Sequence, residues 1–321
     1  MKAFAKRLGG ALAVLAIVLV LNFFLFRIMP GDPLTGIVDP RFSPEAKQQL
    51  AAQWGLDRPL REQFFVYIRE MLSFRFGLSM MTGQPVWDEL KNRVPNTVAL
   101  LLPALLFSAA LGIFLGVKAA LRRGSIVERL VLWSGAASFS FPSFFVQILL
   151  LMGFAWLWPI FPLSGSSSIP PRTGLAGAVD YLWHLALPLF SLVVLSFGGW
   201  ALYVRNMMVK ALGEDYVLMA IARGLPRRRV IWNHAFRSVL PPVVTILLLS
   251  LPGVVSGAVI TETVFSLNGA GRFLLEATNS HDYPSAGAAF FLLALLTVGC
   301  NLLADLLCVL VDPRVRRGGV Q

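Results

Sequence analysis

The chain has 321 residues, of which 56% are hydrophobic and only 14% charged. Soluble domains carry about 25% charged residues, so a soluble globular protein is excluded, and several apolar runs near or beyond about 18 residues point to a polytopic helical membrane protein. The formal charge of +11 raises nucleic acid as a partner, which the distribution of that charge argues against.

At the N-terminus, Lys2, Lys6 and Arg7 precede an apolar run from Leu8 to Phe26. The run is too long for the h-region of a signal peptide. Pro30-Gly31-Asp32-Pro33 follows it, rather than a small-residue cleavage site. It reads as an uncleaved first membrane helix. The polar stretch 27–96 is long enough for a small extramembrane structure. Ser43, Pro44 and Glu45 combine an N-cap, a proline at the first helical position and an acid in the first turn, and Gly55 ends that helix. Pro59 to Ser73 repeats the pattern and stops near Gly77. Val86 to Val94 is amphipathic, as a segment lying on a membrane surface would be.

Five more apolar runs follow: Thr97–Val117, Leu130–Trp158, Trp183–Val204, Leu240–Thr261 and Ala286–Val311. The fold class expected is an all-α membrane protein with six transmembrane helices. Trp156 and Trp158 suit an aromatic belt. With the N-terminus inside, the inside segments collect 17 of the 28 Lys and Arg residues and four acids. The outside segments hold eleven bases and twelve acids. The basic excess is therefore topological, nucleic-acid binding drops out, and both termini are expected in the cytoplasm.

Between the third and fourth of these runs lies one polar segment, Gly213 to Pro242. It reads as two short helices. Glu214 and Asp215 open the first, where acids suit the positive end of the helix dipole. Arg223 closes it, and Gly224 stands where a C′ glycine would. Val217, Ala220, Ile221 and Gly224 recur at i, i+3, i+4 and i+7, giving a small apolar face. Pro226 opens the second helix, which runs through Arg227–Arg229 to Leu240, ahead of Pro241-Pro242. The segment is either a docking surface or a plain basic loop.

Pro103, Pro142, Pro188 and Pro252 put a proline into four of the helices, where each frees a carbonyl and kinks the rod. Gly112-x-x-x-Gly116 and Gly253-x-x-x-Gly257 allow close helix contact. Ser134, Ser138, Ser140 and Gln147 give one helix a polar side, for a pathway or for hydrogen bonds between helices. Asp305 is the acid deepest in an apolar run. Such acids are costly and mark either a pathway or a pairing with a basic neighbour. Glu262, Asp305, Pro142 and Pro252 are the candidates for gate or packing roles. Cys300 and Cys308, eight apart in one apolar run, read as small hydrophobes. No P-loop, H-E-x-x-H, G-x-S-x-G or C-x-x-C occurs, and His184, His234 and His281 fall in three different segments.

Taken in order, these pieces resemble the membrane-spanning permease subunits of ABC importers, in the dipeptide/oligopeptide/nickel branch and of the first-permease type. The resemblance covers nearly the whole chain. It rests on Arg27–Pro33, Gly55–Phe64, Phe76–Thr97, Leu115–Leu130, Glu214–Val243, Thr261–Ala277, His281–Ser285 and Asn301–Arg316. It implies a type I importer permease with a first transmembrane helix at 1–29, an extracytoplasmic segment at 30–96, and a five-helix core at 97–321 carrying a cytoplasmic coupling loop at 205–239. Gly213–Pro242 then looks like the cytoplasmic loop whose short helix fills a groove of the ATPase subunit. Carried over by position, Asp215, Tyr216, Val217, Ala220, Ile221, Arg223 and Gly224 are the coupling residues. Leu218 and Met219 replace the Glu-Ala of the general motif, and His234 and Arg237 its Ile and Pro. The implied partners are a second, homologous permease, two ATPase subunits, an extracytoplasmic solute-binding protein and the lipid bilayer. The chain itself is expected to be non-catalytic and to bind no cofactor, ATP and magnesium residing on the ATPases. The implied location is a prokaryotic cytoplasmic membrane. The implied cargo is di- or oligopeptides, with nickel or another chelated metal, or oligosaccharides, as the alternatives. A stand-alone secondary transporter is the reading from another class.

Overall fold

A computed structural model describes residues 2–28 and 59–311, with the side chains of 2–6, 26–28, 252–258 and 309–311 left aside. The helix expected between Ser43 and Gly55 lies outside the described residues. The rest is helical, with no strand among the described residues beyond an isolated bridge between Leu78 and Pro85. The helices are α1 (Lys2–Ile28), α2 (Leu60–Leu72), α3 (Val86–Leu121), α4 (Ile126–Ser140), α5 (Ser143–Leu151, continued by a π turn at Met152–Leu157), α6 (Gly174–Leu212), α7 (Asp215–Ala222), α8 (Phe236–Val264), α9 (Ala270–Asn279) and α10 (Tyr283–Val311). Among the described residues, five segments are long and apolar enough to cross a membrane, and α4 with α5 makes a sixth if a pair bent by 100° counts as one span.

Three expectations change here. Leu130–Trp158 is not one rod. Proline lacks an amide hydrogen and pushes the residue before it out of the helical region. Phe141 accordingly takes φ −92°, ψ 141°, and the chain turns at Pro142. Val86–Val94 is not a separate surface helix either. It is the first part of the 36-residue α3, with Val86 and Leu90 fully buried. Conversely, Pro241-Pro242 does not break the chain, since α8 runs through both. Val239 and Val243, each 1% exposed, clamp that stretch into a core, so packing overrides the local preference of proline.

The chain divides into two compact units: Met1–Val98, Val255–Thr263 and Asn268–Leu302 form one, and Ala99–Val254, Val264–Leu267 and Leu303–Gln321 the other. The first is built on Leu19, Met71, Phe76, Val86, Leu90, Phe273 and Phe291. The loop between α2 and α3 is pinned by Asp282, 3% exposed, which accepts from the Ser79 hydroxyl at 2.5 Å and the Met80 amide at 3.1 Å. The second unit is built on Trp200, Val204 and Met208 of α6 with Leu105, Ala109 and Val117 of α3. There α3, α4 and α6 meet backbone to backbone. A Cβ added at Gly116 would lie 2.6 Å from the Ala201 carbonyl, and one at Gly135 3.4 Å from Gly198. Small residues at such crossings are what membrane helices use to approach closely.

Candidate functional site

In the second unit, α7 starts two residues after Gly213, the residue that ends α6, with Glu214 between them. It closes as the sequence predicts: Gly224 takes φ +72°, its amide donates to the Ile221 carbonyl at 2.9 Å, and the Leu225 amide donates to Ala220. Glycine adopts this left-handed conformation without the penalty that a Cβ brings. The orientation of the helix differs from expectation. Val217 (0%) and Ala220 (4%) are buried in the chain's own core with Met208, Ala211, Val230 and Ala235. They are the anchor of the helix, packed against the chain's own core. The outward surface is Tyr216 (43%), Leu218 (50%), Met219 (60%) and Ile221 (55%), with Asp215, Arg223 and Gly224 exposed at the helix ends. The Tyr216 hydroxyl is tied to that of Ser238 at 2.6 Å. Apolar area removed from water is worth roughly 25 cal/mol per Å², so the half of the stripe beside the core is used within the chain. The second helix of the segment is a turn at Arg227–Arg229 followed by a π turn, Val230–Ala235, which runs directly into α8.

In the first unit, Glu262 is 1% exposed. Its carboxylate accepts from the Thr97 hydroxyl at 2.6 Å and from the Arg272 amide at 2.9 Å, and the Gly271 amide also points to it. Thr97 in turn accepts from the Ala270 amide at 2.9 Å. The first amides of α9 have no partner within their own helix. Here a side chain from α8 and one from α3 supply it, and the carboxylate sits at the positive end of the α9 dipole. A Cβ at Gly269 would fall on the Glu262 carboxylate, which explains the glycine. Glu262, read from sequence as a gate or packing residue, is seated as the cap of a neighbouring helix.

The other sequence candidates are scattered. Pro142 stands exposed at the α4/α5 bend. Pro252 lies within α8, its side chain outside the described set. Asp305 is half-buried on α10 and is not without a partner. Ser134, Ser138 and Ser140 return their hydroxyls to Val131, Gly135 and Ala136 carbonyls of their own helix, while Gln147 is fully buried. Three buried carboxylates were missed. Asp282 is one. Asp180 is another: it accepts from the Ser168 amide and hydroxyl, at 2.7 and 2.5 Å, beside the buried His184 in a cavity of about 400 Å³ that Arg172 also lines. Glu128, bound to Arg205, is the third. Only for Glu128 was there a sequence signal, the Ser125-x-x-Glu128 spacing of a capping box.

Long apolar helices with a short helix displayed beside them define a polytopic membrane protein. Two family models match the chain in tandem. The N-terminal portion of the binding-protein-dependent transport system membrane component covers residues 1–101, and the inner membrane component itself covers residues 109–317. The chain belongs to this family. Similar proteins include the dipeptide transport system permease protein DppB of Escherichia coli K12, 34% identical over 97% of each chain. The di/tripeptide transport system permease protein DppB of Pseudomonas aeruginosa UCBPP-PA14 is 35% identical, over 97% of this chain and 98% of its own. The oligopeptide transport system permease protein AppB of Bacillus subtilis 168 is 30% identical at the same coverage.

Proposed function

We propose that this protein is the permease subunit of an ATP-driven importer of di- or oligopeptides, and that α7 is where it receives mechanical work from an ATPase. The observation that carries the reading is the display of Tyr216, Leu218, Met219 and Ile221 on a helix fastened from behind by Val217 and Ala220. A helix laid into a groove reads as exposed apolar anchors at short helical spacing. Its rigid anchoring lets displacement of the partner move this helix as a body. The similarity to peptide permeases along almost the full length of both chains supports the cargo class.

In this reading the chain spans the membrane six times, the bent α4/α5 pair counting as one span, with both termini in the cytoplasm. It forms half of a pore with a homologous permease. Two ATPase subunits hold the ATP and magnesium and do the hydrolysis, and an extracytoplasmic binding protein delivers the peptide. The test is reconstitution of these subunits in proteoliposomes. Peptide uptake is expected only with ATP inside and the loaded binding protein outside. Met219→Glu is expected to keep the chain folded and inserted while ATPase co-purification is lost. Uptake that persists without ATP or without the ATPases would overturn the reading in favour of a stand-alone transporter.

A further inference from the structure

Glu128 stands on the first turn of α4, and its surroundings are more than a helix cap requires. The sequence Ser125-x-x-Glu128 is a capping box, in which the glutamate usually folds back onto the backbone amide of the capping residue. The Ser125 side chain does accept from the Glu128 amide. The Ser125 amide, however, is already taken by the Arg122 carbonyl. The carboxylate is directed elsewhere. One oxygen accepts from the Gly124 amide, in the turn that follows α3. The other accepts from Nε of Arg205 at 2.9 Å and from its Nη2, two donors of one guanidinium on α6. A single carboxylate, 5% exposed, therefore ties together the turn after α3, the start of α4 and the last third of α6.

The place of Arg205 makes the tie consequential. It lies seven residues before the end of α6 at Leu212, about 10 Å along the axis. The Gly213 and Glu214 amides bond back to Lys210 and Ala211 carbonyls, so the step from α6 into α7 is a closed turn. Val217 and Ala220 of α7 share a core with Met208 and Ala211 of α6. A push on α7 is thus delivered to the end of α6. Further along, the helices are locked by the backbone approaches at Gly116 and Gly135. The Glu128–Arg205 pair closes the same three helices at the end next to α7. Two donors from one planar guanidinium fix an orientation, which a point charge would not.

We propose that Glu128 is a positioning residue for energy coupling. Through Arg205 it makes the turn after α3, the start of α4 and the end of α6 follow α7 as one body. The proposal rests on the reading of α7 as the ATPase-docking helix. The experiment uses the complete importer, with its partner permease, ATPases and binding protein, in proteoliposomes. It measures peptide taken up per ATP hydrolysed and the stimulation of hydrolysis by loaded binding protein. Wild-type vesicles without ATP-dependent uptake would defeat the underlying reading, independently of Glu128. With wild-type uptake in hand, Glu128→Gln and Arg205→Gln are expected to leave assembly and unstimulated hydrolysis within about twofold, while uptake per ATP falls about tenfold, within the ordinary range of coupling free energies. The reversed pair Glu128→Arg with Arg205→Glu is expected to return uptake per ATP to within about threefold of wild type, because contacting residues do not act additively. Unchanged uptake per ATP in both single variants overturns the proposal. So does a loss that tracks loss of assembled complex, or a reversed pair no better than its worse single variant.

Discussion

Two buried glutamates are held in contrasting ways. Glu262 in the first unit is met by a hydroxyl and by backbone amides at the start of a helix. Glu128 in the second is met by the guanidinium of Arg205 and one backbone amide. The first arrangement cannot be exchanged by point mutation, because its partners are mostly main chain. It constrains the sequence instead through the glycine at 269 that makes room for it. The second is a side-chain pair, and a pair can be broken or reversed. Backbone solvation of a carboxylate builds a permanent joint. Pairing across helices builds one that can carry a signal between elements.

The sharpest test of that contrast is Glu262→Ala. It leaves the Thr97 hydroxyl and the Arg272 amide without their acceptor, at about 1–3 kcal/mol for each buried orphan. Folded yield in detergent, followed by size-exclusion and thermal unfolding, is expected to collapse, and Gly269→Ala to behave almost as badly because its Cβ displaces the same carboxylate. Recovery of full stability in either would remove the distinction between the two glutamates. Next comes a pair of substitutions on α7. Ala220→Glu places a charge at a site 4% exposed and is expected to lose the folded chain, since an unpaired buried charge is among the costliest changes. Ile221→Glu, one residue on and 55% exposed, is expected to fold normally and to lose only ATPase association. If the two behaved alike, α7 would not have an anchored face and a displayed face. Gly116→Ala should cost about 1–3 kcal/mol of stability by overpacking α3 on α6, read as a lower unfolding temperature. It tests whether those helices move together. The smallest effect expected is Gly224→Ala, about 1–2 kcal/mol for a non-glycine residue in left-handed backbone, seen as a modest loss of coupling-helix order by hydrogen exchange.

Much of the architecture was legible from residue order. Runs of hydrocarbon have to be helices in a bilayer, so Thr97–Val117, Trp183–Val204 and Ala286–Val311 could be read as helices from composition, and they lie inside the longer helices Val86–Leu121, Gly174–Leu212 and Tyr283–Val311; the stop at Gly224 was legible too. The bend at Pro142 was legible only as a kink. Its size of 100° depends on what α4 and α5 each pack against. Glu262 was visible as a misplaced charge, but its role was not, because its partners come from positions 97 and 270–272. Asp180 and Asp282 gave no signal at all, each being one acid in a polar stretch.

The sequence by itself determined that this is a helical chain with five or six segments apolar enough to cross a membrane, and that a short helix opens at Asp215 and closes at Arg223 and Gly224. Those properties are local: burial cost, helix period and charge sign act residue by residue. Only the tertiary structure decided which face of that helix is spent inside and which is offered outside, and which carboxylates join elements. An apolar stripe carries no label for its partner, and a buried acid none for its donor. Both are settled by whichever surface the rest of the chain brings closest.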